Sequence, residues 1–428
     1  MPLLPRATLP TLLAICLLAL PETQARGAAA SPWWKGNLHT HTLWSDGDDF
    51  PEMVVDWYKN HGYQFLGLSD HNLLQVGEKW VTVTNLSYRD VTLDRYRDRF
   101  GAFWVTEREW NGRRQVRLKT LPEFGPLLEE KGKFLLIPAT EITSNYKIWP
   151  VHVNASNVRA PFPVPQAGAT SVREVMQQAV DMVLQQRAMT GQPMFPHINH
   201  PNFGWAVTAE DLTQVKGERF FEVYNGHPGC FSFGDGTRLS AEQIWDVALS
   251  LRLTTTHFGA LFGLAVDDSH RYHEFNPGSS NPGRGWVMVR APRLEPSDLI
   301  LAMERGDFYA TTGVRLRDVR RERKRLLVEV EPEEGVSYTI RFIGTHRNFN
   351  PASAPILSKD GSPYPTTRRY QPEVGMAFLE VSGTSGVYEM NGTELYVRAT
   401  VISTKRKENP QAAGEHEMAW TQPLFGTP

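Results

Sequence analysis

Histidines and carboxylates recur in this chain at the ends of short apolar runs. His39 and His41 stand two residues apart on an extended segment, a spacing that sends both side chains to one face. Asp70-His71 ends the run Phe65–Ser69, and Glu141 follows Phe134–Ala139. His197 and His200 end Met194–Ile198, Glu222 lies in Phe220–Tyr224, and Asp268 with His270 ends Leu261–Val266. Taken singly, a histidine at a strand end is ordinarily a hydrogen-bonded structural residue, and an aspartate there a helix cap. Taken together they are hard to explain by packing, because converging buried charges are costly unless a cation neutralises them. Imidazole with carboxylate suits zinc, manganese or iron. Two or three such ions lower the pKa of bound water from about 15.7 toward about 7 and polarise the scissile bond, so the chemistry to expect is hydrolysis without a protein nucleophile. The chain has neither a Gly-x-Ser-x-Gly elbow nor a Walker-type loop.

Elements that hold side chains at strand ends are what the intervening sequence supplies. Continuous apolar runs fit strands buried on both faces, as in a parallel sheet wrapped by helices. Between them lie helix signals. Pro51 opens one helix and Gly62 follows it. Ser171 with Glu174 makes a capping box before Val172, Val175, Met176, Ala179, Val180 and Val183, and Gly191 closes that helix. Ser240 with Gln243 repeats the pattern, and Ser297–Arg305 is followed by Gly306. The alternation argues for an α/β barrel or a related layered α/β fold, whose active site lies where strand C-termini converge. Residues 77–125, rich in Arg and Trp, read as an insertion with a hairpin at Asn111-Gly112, and residues 158–170 as a loop over one end of the barrel. After Gly313 the helical pattern stops. Arg325–Glu331, Val336–Ile343, Ala377–Val381 and Leu395–Ile402 are alternating or β-branched, so 313–428 reads as a small β-sandwich. Its basic run, Arg315–Arg325, reads as the solvated face of a hairpin rather than an anion site.

The bulk numbers allow this plan. The 428 residues fit one large and one smaller domain, and 41% hydrophobic with 21% charged residues is globular. A net charge of −2 lacks the basic surplus of a nucleic-acid binder. Arg6, the apolar run Leu12–Leu20 and the small residues after it read as a secretory signal within residues 1–30, cleaved after Ala25 or Ala30. That run is too short to span a bilayer, so the expectation is a secreted or periplasmic protein without a stable membrane anchor. With the signal removed, Cys230 is the one remaining cysteine, so no internal disulfide forms and any metal is held by nitrogen and oxygen.

The ordered segments His39-Thr40-His41-Thr42-Leu43-Trp44-Ser45-Asp46-Gly47, Leu68-Ser69-Asp70-His71-Asn72, Glu141, His152, Asn199-His200-Pro201 and Asp268-Ser269-His270 resemble the PHP (polymerase and histidinol phosphatase) family over about residues 35–312. The segments around His39, Glu141, Asp267 and Arg284, with the trailing β domain, are similar to the branch that includes carbamate-hydrolysing enzymes. The resemblance implies a distorted (β/α)7 TIM-like barrel spanning 31–312 and two or three divalent ions. His39, His41, Glu141 and Asp268 would hold the first; Glu141, His152 and His200 the second, with Glu141 bridging; Asp46, His71 and His270 the third. The Asp-x-His spacing selects Asp268 over Asp267. His197 is read as a proton donor, a residue orienting a ligand, or a structural histidine. Arg284 is read as an anchor for a phosphate or carboxylate, or as a turn arginine. Three functions remain open: a phosphoesterase, an ester, carbamate or amide hydrolase, and a ligand-binding protein with structural metals. The first two take a small-molecule substrate.

Overall fold

A computed structural model describes residues 31–83, 89–165 and 168–426. The expected signal segment, 1–30, lies outside the described residues. The elements below belong to the unit Pro32–Pro428. No helix among the described residues is long and apolar enough to cross a membrane.

The strands of the main sheet, in chain order, are β1 (Trp33–Asn37), β2 (Phe65–Leu68), β3 (Leu135–Tyr146), β4 (Trp149–Ser156), β5 (Phe195–Ile198), β6 (Phe220–Asn225), β7 (Phe262–Val266), β8 (Trp286–Arg290), β9 (Phe308–Thr311), β10 (Tyr338–His346), β11 (Met376–Ser382), β12 (Glu394–Arg406), β13 (His416–Thr421) and β14 (Leu424–Phe425). Their order is β7-β6-β5-β4-β3-β2-β1-β8-β9-β13-β12-β10-β11, with β14 beside β12. Parallel pairing holds for β1–β2, β2–β3, β5–β6 and β6–β7, as the apolar runs predict. Two departures follow from local sequence. β3 runs on past Glu141 to Tyr146, turns at Lys147, which takes a left-handed φ of 55°, and returns as β4, antiparallel to both β3 and β5. β1 pairs antiparallel with β8. The sheet is therefore mixed rather than parallel. β7 lies alongside β8 and β9, but no ladder joins them among the described residues, so the sheet curls without the closed barrel expected from the alternation.

Helices cover this sheet where the sequence places them. Pro51–Asn60 buries Met53, Val54, Val55 and Tyr58, and Gly62 follows at φ 74°. Val172–Thr190 buries the apolar stripe read above and ends on Gly191 in the left-handed region. Ser171 caps that helix by accepting from the Glu174 amide, whereas the Glu174 carboxylate reaches back one residue further, to the Thr170 amide, so the box is only half made. Ala241–Leu251 carries the full Ser240–Gln243 box, and Pro296–Glu304 precedes Gly306.

The insertion holds the helix Arg89–Phe100 and a three-stranded sheet, Lys79–Thr82, Arg113–Leu118 and Glu107–Trp110 in spatial order, with Asn111 and Gly112 both at positive φ in the hairpin turn. Val116 and Leu118 pack with Leu43, Trp44 and Phe50, and the Trp44 indole donates to the Lys119 carbonyl at 3.1 Å. The insertion thus braces the loop that carries Asp46. Beyond Thr312, the sheet Leu316–Glu322, Arg325–Val330, Ser385–Glu389 shares one apolar core with β10, β12 and β13: Leu326, Val328, Ile340, Phe342, Val397 and Val401. Within the basic run, Arg320 pairs with Asp318 and Glu329, and Arg321 with Asp307, as a charged hairpin face does. The two halves are not separate bodies in the sheet: β9 pairs with β13, Tyr309 opposite Thr421.

Candidate metal centre

All nine sequence-read ligands converge at one end of the curled sheet. His39 and His41 follow β1, held there by an isolated parallel bridge between Thr40 and Ser269. His71 follows β2 and bridges to Glu141. His152 comes not from a strand end but from the middle of β4, opposite Thr143. Asp268 takes φ 50°, a left-handed conformation that aspartate tolerates, and this turns it away from its neighbour. Asp267 instead accepts the amides of Gly283, Arg284 and Gly285 and the Tyr58 hydroxyl. Asp70 likewise serves the loop, accepting from the Thr42 amide and from Ser45 and Gln75 side chains.

Four residues form the tightest set. His39 Nε2 lies 3.5 Å from Glu141 Oε1 and 3.3 Å from Asp268 Oδ1; His41 Nε2 lies 3.4 Å from Glu141 Oε2 and 3.2 Å from the same Asp268 oxygen. Ligands about 2.05 Å from a tetrahedral ion stand ~3.3 Å from one another, so these separations suit a small divalent cation. Both Nε2 atoms and Glu141 Oε2 are buried without a hydrogen-bond partner, which is otherwise rare. The ring tautomers agree. His39 Nδ1 meets Glu222 Oε1 at 2.6 Å and His270 Nδ1 meets the Asp268 carbonyl at 2.9 Å, so each Nδ1 carries the proton and each Nε2 presents a lone pair.

Two further groupings flank this set. Glu141, His152 and His200 form one: Glu141 Oε1 is 2.9 Å from His152 Nδ1 and 3.6 Å from His200 Nε2. Asp46, His71, His270 and His41 form the other, with Asp46 at the rim, 3.4 Å from His270 Nε2 and 3.6 Å from His71 Nε2. His41 therefore sits between two groups, stacked on His270 with ring centroids 4.0 Å apart. Cys230 is buried with its sulfur within 4.8 Å of ligand atoms of His200 and Asp268, so a thiol joins the nitrogen and oxygen donors expected from sequence. Asn199 fixes Glu141, donating to Oε1 at 2.7 Å, and is itself joined to Asn154. Asn154 is fully buried and donates to the Leu38 carbonyl, which closes its Asn-x-Ser triplet to glycosylation.

Burial alone would raise the carboxyls of Glu141 and Asp268, but the facing imidazoles outweigh it and hold both well below the usual range. The reverse holds for His71: burial disfavours its charge, yet Glu141 and Asp46 push it up to about 11. His39 and His270 move the same way. This gives a signed expectation. A histidine raised from 6.5 to about 11 binds more protons folded than unfolded across that interval, so its contribution is complete below the lower value and is lost as pH climbs toward the upper. Chelator-treated protein should lose thermal stability between about pH 7 and about pH 10, whereas metal-loaded protein, whose ligands have already released those protons, should not. Parallel melts across that range are the check; matching curves would mean that protons and metal do not share these sites.

The two residues read as catalytic from sequence are placed elsewhere. His197 is fully buried behind the cluster, its Nε2 3.2 Å from Glu222 Oε1. It helps hold the carboxylate that orients His39 and does not line the cavity. Arg284 is fully buried and spends its guanidinium on carbonyls of Gly226, Ser279 and Asn276 and on Asn281 and Asn409. It is neither a substrate anchor nor a surface turn residue. Arg284→Met should cost about 3 kcal/mol through unpaired carbonyls, read by chemical denaturation, with metal per folded chain unchanged; loss of metal at unchanged stability would return it to the site. One cavity residue escaped sequence reading. The cavity, about 140 Å³, is lined by seven of the candidate ligands together with Phe203 and His227. His227 stands two residues past β6, the same position relative to a strand end that marked the others.

No protein-family model matches the chain, and no curated protein matches it in sequence. Among solved structures it is similar to a two-domain protein from Bacteroides vulgatus containing a predicted PHP-like metal-dependent phosphoesterase, with 14% identity, 92% of this chain and 95% of that chain covered, and a TM-score of 0.37. It is also similar to a candidate metal-dependent phosphoesterase from Bifidobacterium adolescentis, with 14% identity, 56% of this chain and 89% of that chain covered, and a TM-score of 0.27.

Proposed function

We propose that this chain is a PHP-type metal-dependent hydrolase that cleaves phosphoric esters of small molecules. The observation that carries the hydrolase reading is the four-residue set of His39, His41, Glu141 and Asp268 with its orphaned nitrogens, beside two more ligand groups that line a cavity. When bound there, divalent ions would supply Lewis acidity and water of lowered pKa, of which zinc, manganese and iron are each capable with these donors. The protein's own share is orientation: Glu222 fixes the His39 tautomer, Asn199 aims Glu141, and the insertion braces the loop of Asp46. The phosphoester specificity rests on the ordered motifs of the sequence.

A second reading, hydrolysis of a carboxyl ester or carbamate, has one observation in its favour. No arginine or lysine is among the described residues lining the cavity, although guanidinium forks are common partners of phosphoryl groups. Assay of the metal-loaded chain on p-nitrophenyl phosphate, bis-p-nitrophenyl phosphate and p-nitrophenyl or naphthyl esters, each with a chelator control, separates the readings. Turnover of the phosphates supports the first and of the esters the second; turnover of neither would leave the centre a structural or ligand-binding one. The reading as an exported protein rests on Arg6 and Leu12–Leu20. Mass spectrometry of the exported chain should find an N-terminus between residues 26 and 31; a full-length, membrane-retained chain would refute it.

A further inference from the structure

The cavity offers a substrate few groups that are not already committed to cations. Of its lining residues, seven are candidate ligands and Phe203 is apolar, which leaves His227. His227 is held from several directions. Its amide donates to Asn225 Oδ1 at 2.8 Å, and the Asn225 side-chain nitrogen donates in turn to Glu222 and to Asp268. Its carbonyl accepts from Gln411, which also donates to the Cys230 carbonyl. The ring stands edge-on to Phe203, with centroids 6.0 Å apart, and lies 5.5 Å from His270.

The tautomer is fixed by the backbone. The Gly229 amide donates to His227 Nδ1 at 3.0 Å. An amide nitrogen can only donate, so Nδ1 holds a lone pair and the proton of the neutral ring sits on Nε2. A side chain at 229 would crowd this arrangement, since a Cβ there falls 3.2 Å from Nδ1. Nε2 has no hydrogen-bond partner among the described residues, and it belongs to none of the groups that could hold an ion. A donor with a fixed proton and no acceptor, beside the cluster, matches what stabilises charge developing on a substrate oxygen.

We propose that His227 is a catalytic residue of this centre, its Nε2–H donating to the ester oxygen on which negative charge builds during hydrolysis. This rests on the hydrolase reading, and it assigns the residue a role distinct from metal binding.

The experiment uses the metal-loaded full chain and two variants, His227→Ala and His227→Gln, with inorganic phosphate as the probe. Metal per chain is read by elemental analysis, phosphate affinity by calorimetry, and kcat/KM on whichever ester the parent turns over. His227→Ala should keep its metal, bind phosphate about 10-fold more weakly and lose about 100–1000-fold in kcat/KM. His227→Gln, which retains an N–H donor, should recover part of both. Phosphate affinity and kcat/KM equal to the parent's would overturn the proposal, as would loss of metal, which would make His227 a ligand, or a parent that binds metal but no phosphate. A parent that binds both yet hydrolyses none of the esters would sink the hydrolase reading and the catalytic role of His227 with it, whereas parent-like kcat/KM in His227→Ala would sink the role of His227 alone.

Discussion

Glu141→Gln should strip the centre of metal and of nearly all turnover. Glu141 faces two groups of ligands at once: Oε1 toward His39, His152 and His200, and Oε2 toward His41 and His71. The amide keeps the volume and can still accept from Asn199, but it removes the negative charge that would offset the cations of both groups. Losing a residue that merely orients a ligand costs about 10–100-fold in metal affinity or activity, and a carboxylate shared by two groups should cost more. Glu222→Gln is the graded comparison. Glu222 does not line the cavity, yet it accepts from His39 Nδ1, the His200 amide and Asn225. Its substitution should weaken metal binding by about that 10–100-fold while leaving the centre fillable at high metal concentration. Elemental analysis and kcat on both variants decide the matter. Parent-like metal content and activity in Glu141→Gln would show that the cluster is not assembled around this carboxylate.

The second large effect concerns stability rather than chemistry. Arg398, on β12, is fully buried. Its Nε donates to Asp246 Oδ1 at 2.9 Å, its Nη2 reaches Asp246 Oδ2 at 2.5 Å, and its Nη1 reaches Glu242 Oε1 at 2.7 Å. Asp246 and Glu242 belong to the helix Ala241–Leu251. This pair therefore ties a helix of the N-terminal half to a strand of the C-terminal half, and Tyr396 adds a hydroxyl donor to Asp246 at 2.8 Å. Removing one partner of a buried pair leaves the other charge uncompensated, so Asp246→Asn should cost about 3–5 kcal/mol. Replacing both, as in Asp246→Leu with Arg398→Met, should recover much of that, since a packed apolar pair lacks the desolvation penalty. Urea unfolding of the parent and both variants gives the numbers; an Asp246→Asn variant as stable as the parent would mean that Glu242 alone compensates Arg398.

Local signals were legible in the sequence wherever one residue type has one physical use. Pro51, Ser240, Gly191 and Asn111-Gly112 set helix ends and a hairpin because backbone chemistry there depends on nearest neighbours. The ligand set could be read because so many metal-capable side chains at the ends of apolar runs serve packing poorly and a cation well. Strand direction could not be read. Ala139–Tyr146 and Trp149–Ser156 carry no turn residue stronger than Asn145-Tyr146-Lys147, so the hairpin that brings in His152 depends on pairing with β5, a tertiary choice. The fate of His197 depends on which way its side chain faces, which a period-2 pattern leaves undetermined in a strand buried on both faces; Arg284 lies in the loop before β8, where no periodicity says whether a side chain turns inward. His227 was missed because Glu222 drew the reading of that run to its middle, although the position after its end was the informative one.

The order in which the ladder closes has a consequence for how the chain is made. β1 pairs on one side with β2, close by in sequence, but on the other with β8, Trp33 opposite Arg290. β9 in turn completes its pairing only with β13, Tyr309 opposite Thr421. A chain growing from its N-terminus therefore carries unpaired strand edges until residues 416–421 emerge, and exposed edges template association with other chains. Such long-range pairing is also slow to form. Fragments ending near residue 312 should expose the β9 edge and pass through aggregating states that β13 prevents in the longer chain.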